Sequence, residues 1–177
     1  NGLIRTSGDI LRQMPLPGTP AFEHVHVVLS DNKGHTWFNN EQNELIKTIQ
    51  VNDNITGRKF QLPGLTEKTD ITSLYQDVNG NIWVGTMGRG IFLLSPESLA
   101  YRSFDEHPRF INASVLSING SGRNVFVSCL EGSMEIQLPE TSDIHQRYTY
   151  TDFDGKKIGT NYVYCIYKDR KGRTWFA

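Results

Sequence analysis

His24 and His26 stand two residues apart, a spacing that sets both rings on one side of a strand, where imidazole nitrogens could hold zinc. Zinc needs a third ligand. The repeat described below aligns His26 with Thr72 and Tyr164, so both histidines read as strand residues. Asp31, Asp77 and Asp169 each open a polar segment that could offer oxygen ligands to calcium. Lys33 and Lys171 sit inside two of those segments and oppose a cation, so all three read as turns. Gly85-Thr86-Met87-Gly88-Arg89-Gly90 is glycine-rich, but no Lys-Ser/Thr pair follows and no helix begins, which argues a turn rather than a phosphate loop. Cys129 and Cys165 make no disulfide framework and read as buried free thiols. No local nucleophile motif marks a Ser or Cys. Asp and Glu fall mostly in turns, which argues against a carboxylate pair for glycoside hydrolysis. No catalytic residue, metal site or cofactor is therefore assigned.

Bulk properties narrow the classes further. The 177 residues carry 18 basic and 19 acidic side chains, a net charge of −1, which argues against nucleic-acid binding by bulk electrostatics. With 37% hydrophobic and 21% charged residues the chain is ordinary globular material. No apolar run approaches the roughly 18–20 residues of a membrane helix, so no membrane contact is expected of this segment. The chain opens Asn1-Gly2-Leu3-Ile4-Arg5, without Met or an apolar signal core, and reads as a fragment or a mature chain.

The elements that must carry these residues are visible through the tryptophans. Trp37 and Trp83 are 46 residues apart; Trp83 and Trp175 are 92 apart, twice that spacing. Each closes the same frame, Asp-x-x-Gly-x-x-Trp: Asp31, Gly34, Trp37; Asp77, Gly80, Trp83; Asp169, Gly172, Trp175. A degenerate copy lies at Asn119 to Phe126, with Phe126 in the Trp place, no Asp, and a turn one residue shorter. Apolar β-formers precede each frame at two fixed places: Val25 and Val28, Ile71 and Leu74, Val115 and Ile118, Val163 and Ile166.

One unit is physically readable. A β-rich run ends in Asp-x-x-Gly, where Asp can bond its own backbone and Gly supplies positive φ. A second run carries the Trp, a turn follows, then a third run and a more polar fourth, such as Tyr101-Arg102-Ser103-Phe104 or Arg147-Tyr148-Thr149-Tyr150. Leu45 to Ile49 reads as a third strand rather than a helix. Four short strands per roughly 45 residues with a periodic aromatic is a propeller-blade signature. The expected fold class is all-β: a β-propeller fragment of four-stranded antiparallel blades, about four blades' worth of strands, cut mid-blade at both ends. The expected division of this single segment is a half-blade at 1–17, blades at about 22–64, 68–106 and 112–151, and a half-blade at 160–177. The length is three residues short of four mean repeats. The half-blades are expected to pair, within one chain or between two, because open strand edges associate.

Ile71-Thr72-Ser73-Leu74-Tyr75-Gln76-Asp77, Gly80-Asn81-Ile82-Trp83-Val84-Gly85-Thr86 and Gly90-Ile91-Phe92 resemble the two-component regulator propeller repeat. The frame is also similar to the Asp-box of sialidase-type propellers, which has one fewer residue between Asp and Gly. The first resemblance implies the periplasmic sensor region of a Bacteroidetes hybrid two-component histidine kinase, working as a homodimer, sensing glycan oligosaccharides and controlling polysaccharide-utilisation genes. It implies no enzyme in this segment, the kinase belonging to parts absent here. A protein-interaction platform and a propeller glycosidase or lyase are the alternatives.

Propellers bind ligands through loops at one ring face, those entering the first strand and those linking second to third. Here these are 65–70, 107–112 and 160–162, with 39–42, 87–89 and 130–131. Sugar recognition favours amide, Arg and aromatic groups, so Asn40, Gln42, Arg89, Arg109, Asn161 and Tyr162 are the candidate ligand residues.

Overall fold

A computed structural model describes residues 4–7, 10–13, 25–51, 54–66, 69–95, 100–104, 106–138, 144–145 and 162–177. Among them every regular element is a strand. The chain divides into two compact units, Asn1–Ile71 and Thr72–Ala177.

In the first unit, β1 (Ile4–Ser7) and β2 (Ile10–Gln13) form a two-stranded hairpin, with Ile4 opposite Gln13. β3 (Val28–Ser30), β4 (Thr36–Asn39), β5 (Leu45–Val51) and β6 (Asn54–Phe60) form a four-stranded antiparallel sheet in chain order. Adjacent residues of a strand face opposite ways. Trp37 and Phe38 on β4, and Leu45 and Ile46 on β5, are all fully buried, so both faces of the central strands are dry. Phe60 lies 5.2 Å from the Trp37 ring, and the Lys47 ammonium sits 5.3 Å over it.

The second unit repeats this plan. β7 (Ile71–Gln76), β8 (Ile82–Thr86), β9 (Ile91–Leu94) and β10 (Tyr101–Ser103) form one four-stranded sheet. β11 (Val115–Ser121), β12 (Asn124–Cys129), β13 (Gly132–Gln137) and β14 (Ile144–His145) form the next. β15 (Ile166–Lys168) and β16 (Thr174–Phe176) pair as two strands. The fourth run expected at 147–150 lies outside the described residues; β14 pairs with β13 just before it. One apolar core joins the two four-stranded sheets, with Trp83, Ile91 and Phe104 against Val115, Val125 and Ile136. A second cluster joins Phe126 to Val163, Ile166 and Phe176. These are the blades of a propeller, held face to face by apolar burial.

Glycine permits two close approaches in this unit. A Cβ on Gly90, whose φ is +62°, would lie 2.8 Å from the Phe110 carbonyl oxygen. A Cβ on Gly120 would overlap the Tyr75 ring of the preceding blade.

The Asp-x-x-Gly-x-x-Trp frame is a hydrogen-bonded clasp. The Asp77 N–H donates to the Asn81 carbonyl at 3.0 Å, and the Gly80 N–H donates to the Asp77 carbonyl at 3.0 Å. Asp77 Oδ1 accepts the Asn79 and Asn81 backbone N–H groups, both at 2.9 Å. Asp77 Oδ2 accepts the Trp83 indole N–H at 2.9 Å. Asp31 does the same for Lys33, His35 and Trp37, and Asp169 for Lys171, Arg173 and Trp175. Gly34, Gly80 and Gly172 have φ of 80°, 84° and 78°, the left-handed conformation the clasp needs. Burial pushes the Asp31 carboxyl up, but the Trp37 indole N–H, the His35 N–H and the His35 ring pull it below its ordinary value.

The degenerate repeat needs no clasp. Ser121 pairs directly with Asn124, so Gly122 and Arg123 alone make the turn, with Gly122 at φ 59°. Phe126 has no N–H to satisfy and is buried all the same.

The two cysteines differ from expectation. Cys129 on β12 is buried, and burial, with the Glu131 charge, pushes its thiol up to about 12. Cys165 is exposed rather than buried. It sits beside Ala177 through paired backbone hydrogen bonds, just ahead of the two-stranded β15–β16 sheet.

Two tests follow from this core. Asp77→Ala strands the fully buried Trp83 N–H and two turn amides, and is expected to cost about 2–3 kcal/mol by urea denaturation. Asp169→Ala removes the same set of bonds beside Trp175, which is 54% exposed and can turn to water, so its midpoint shifts clearly less. Equal shifts would refute the clasp's dependence on burial. At pH 8 a disulfide dye should label Cys165 in the native chain and Cys129 only after denaturation. Release of two equivalents from the native chain would contradict the burial of Cys129.

Candidate functional site

In a four-stranded meander the link from second to third strand and the link leaving the fourth emerge at the same end of the sheet. In the first unit these are the β4–β5 turn and the segment after β6. Between them lies a cavity of about 750 Å³, within the range of about 300–1,000 Å³ typical of small-molecule sites. Gln42, Asn43 and Glu44 line it from the turn. Gln61, Leu62, Leu65 and Thr66 line it from the segment after β6.

The turn is a second kind of clasp. Asn40 Oδ1 accepts the Gln42 N–H at 3.1 Å and the Glu44 N–H at 2.9 Å. The Asn40 N–H donates to the Glu44 carbonyl at 3.2 Å, and the Asn43 N–H to the Asn40 carbonyl at 3.0 Å. Asn43, at φ 55°, takes the left-handed position that glycine holds in the Asp clasps. This is the Asp31 pattern residue for residue, with a carboxamide in place of the carboxylate. The free donor of that amide, Asn40 Nδ2, reaches Glu44 Oε2 at 2.7 Å. Lys59 on β6 closes on the same oxygen at 2.7 Å. The register Ile46 opposite Lys59 puts the Lys beside the turn. The Lys59 hydrogen bond outweighs partial burial, and with Asn40 holds the Glu44 carboxyl below its ordinary 4.5.

The far wall is braced separately. Asn43 Nδ2 donates to Asp70 Oδ1 at 3.4 Å, and the Thr69 N–H donates to the Thr66 carbonyl at 2.9 Å. Leu62 is buried beneath this segment.

The structure describes five of the six sequence-derived ligand candidates, in different settings. Gln42 is exposed and lines the cavity. Asn40 is buried and shapes the turn instead. Arg89 is half-buried in the β8–β9 turn, and Arg109 is exposed on the segment after β10. That turn and that segment are joined by the Gly88 and Gly90 N–H groups, which donate to the Ala113 carbonyl. Tyr162 is 60% exposed, next to Val163, whose N–H donates to the Cys129 carbonyl. Asn161 lies outside the described residues. Asn40 and Gln42 belong to the first unit, and Arg89, Arg109 and Tyr162 to the second.

Glu44, Lys59 and Gln61 were not singled out from sequence, and Thr66 only as part of the 65–70 loop. Asn40-x-x-Asn43 carried a local signal, the spacing of Asp-x-x-Gly; the placing of Lys59 depends on strand register. His26 is exposed ahead of β3, and its backbone N–H donates to Asn39 Oδ1 at 3.1 Å; His24 lies outside the described residues. Among the described residues no three His, Cys, Asp or Glu side chains converge as metal ligands. Among the described residues no helix is long and apolar enough to cross a membrane.

The family described as two component regulator propeller matches residues 64–88 and 157–177. No curated protein matches the chain in sequence. Among solved structures the chain is similar to two extracellular domains from B. thetaiotaomicron described as belonging to hybrid two component systems. One shares 17% identity at a TM-score of 0.74 over 99% of this chain and 23% of that one. The other shares 17% at 0.68 over 94% of this chain and 21% of that one. It is also similar to virginiamycin B lyase from Staphylococcus aureus, 20% identical at a TM-score of 0.65 over 94% of this chain and 52% of that one. The chain thus has a propeller fold, resembles two component regulator propellers, and spans under a quarter of those extracellular domains.

The ion pair at the cavity sets a pH dependence. A carboxyl depressed by a partner stabilises the fold above its unfolded value, and that stability is lost as pH falls through the folded value. The Glu44 carboxyl should therefore titrate below 4.5 by carbon-13 NMR, with stability falling as it protonates. Lys59→Ala should move that titration upward and flatten the slope. An unmoved titration in Lys59→Ala would remove Lys59 as its cause.

Proposed function

We propose that this chain is a ligand-sensing propeller segment of the periplasmic region of a hybrid two-component sensor. It would bind oligosaccharides derived from glycans and so control polysaccharide-utilisation genes. The observation that carries the reading is the cavity beside the β4–β5 turn, walled by amides, a hydroxyl and one carboxylate over a leucine floor. Sugars present hydroxyls that pair with amides and carboxylates, and C–H faces that rest on apolar side chains. The repeat match and the likeness to extracellular domains of two component systems support the sensing role and its location.

Sensing needs differential affinity between two states of the parent protein. A rigid, hydrogen-bonded turn at the cavity is suited to pass ligand contacts to the strands it joins. Turnover is not the reading. Glycoside hydrolysis takes two opposed carboxyl groups about 5–9.5 Å apart, and the described cavity wall carries one, Glu44.

The test is a thermal-shift screen of the chain against a glycan oligosaccharide panel, with product analysis of each mixture. A raised melting temperature with the sugar recovered intact is the expected result. Cleavage of the sugar would replace sensing with catalysis. No shift with any sugar, together with capture of a folded protein partner, would replace it with an interaction platform.

A further inference from the structure

The cavity beside the β4–β5 turn has an electrostatic bias that narrows its ligand. Among the described residues its wall carries one ionised group, the Glu44 carboxylate. Both described bonds to that carboxylate fall on Oε2, from Asn40 Nδ2 and Lys59 Nζ, each at 2.7 Å. Among the described residues, Oε1 carries neither of these bonds. An ionised carboxylate only accepts hydrogen bonds, so its ligand partner must donate. Lys59 Nζ pairs with Oε2 and balances the Glu44 charge, and among the described residues no cation lines the wall to attract an anion.

The rest of the wall is neutral. Gln42 and Gln61 are exposed, and each amide can both donate and accept. Thr66 adds a hydroxyl, and Leu62 and Leu65 an apolar floor. Donor-acceptor amides suit ligands whose groups do both, as sugar hydroxyls do.

Resting on the glycan-sensing reading above, we propose that this cavity selects an uncharged oligosaccharide. Glu44 Oε1 accepts hydroxyl hydrogens from it, and uronate or sulfated sugars are excluded. A carboxylate or sulfate on the ligand would bring like charge against Glu44 with no free cation on the described wall to meet it.

Isothermal titration of the 177-residue chain separates the outcomes. The neutral probes are cellohexaose, xylohexaose, mannohexaose and isomaltohexaose; the acidic probes are hexagalacturonate and a chondroitin sulfate hexasaccharide. At least one neutral probe should bind, with every acidic probe at least tenfold weaker. Glu44→Gln should weaken the neutral probe about tenfold. Because that change also loosens the turn, Gln61→Ala serves as a second variant on an exposed side chain and should weaken binding several-fold with the fold intact. An acidic probe binding as tightly as any neutral one overturns the proposal. So does neutral binding unchanged by both variants, an outcome that leaves glycan sensing standing at another place. Failure of every probe overturns both readings.

Discussion

Each complete repeat turns on a carboxylate that has too many donors to satisfy to sit anywhere else. Asp77 accepts two backbone N–H groups on one oxygen and the Trp83 indole N–H on the other. The backbone bonds fix the turn, the turn fixes the pairing of the two strands it joins, and the indole bond fixes where the largest side chain of the blade goes. Trp83 then sits fully buried against Phe104, 5.7 Å between ring centroids, in the core that joins two blades. A buried indole N–H without a partner costs about 1–3 kcal/mol. The same Asp therefore sets local geometry and removes the main obstacle to burying tryptophan. The clasp works only with a left-handed residue at its fourth position, which is why Gly34, Gly80 and Gly172 recur with it.

Where the clasp is lost, the chemistry it served is lost too. Phe126 has no indole to satisfy, and the two-residue turn at Gly122-Arg123 makes the strand pairing without a side chain. In three of the four repeats the second strand buries an aromatic, Trp37, Trp83 or Phe126. The exposed Trp175 shows the converse: with Asp169 making all three bonds the clasp forms intact, yet the ring stays 54% exposed. Local hydrogen bonding makes the hairpin; a neighbouring sheet is needed to make the core.

This division explains what was legible in the sequence. The Trp spacing, the Asp-x-x-Gly turns, the strands on either side and the apolar columns at Val115 and Ile118 are local patterns, and a single chain of letters shows them. Leu45 to Ile49 was legible as strand because the repeat set its place. The site was legible only in part. The loop position reached both Asn40 and Gln42, and sequence could not tell which amide is buried in the turn and which is exposed on the cavity wall, because the two look alike in sequence. Lys59 meets Glu44 through the β5–β6 register, fifteen residues along the chain, and nothing local encodes that meeting. Cys165 read as buried because its run alternates like its neighbours, whereas its exposure depends on what lies beside β16.

The β4–β5 turn shows how one atom can set apart two turns of one pattern. Asp31 and Asn40 occupy the same place in the same hydrogen-bond pattern. Both use one oxygen for two backbone N–H groups at positions two and four further on. The second group on each side chain differs. Asp31 has another acceptor, and it turns inward to the Trp37 indole. Asn40 has a donor, which cannot serve an indole and turns to the Glu44 carboxylate instead. That donor and Lys59 both meet Glu44 on Oε2. An Asp at position 40 would keep the turn but set a second carboxylate against Glu44, with only Lys59 left to offset the repulsion. The amide is what lets a scaffold turn carry an oriented, ionised acceptor at its rim.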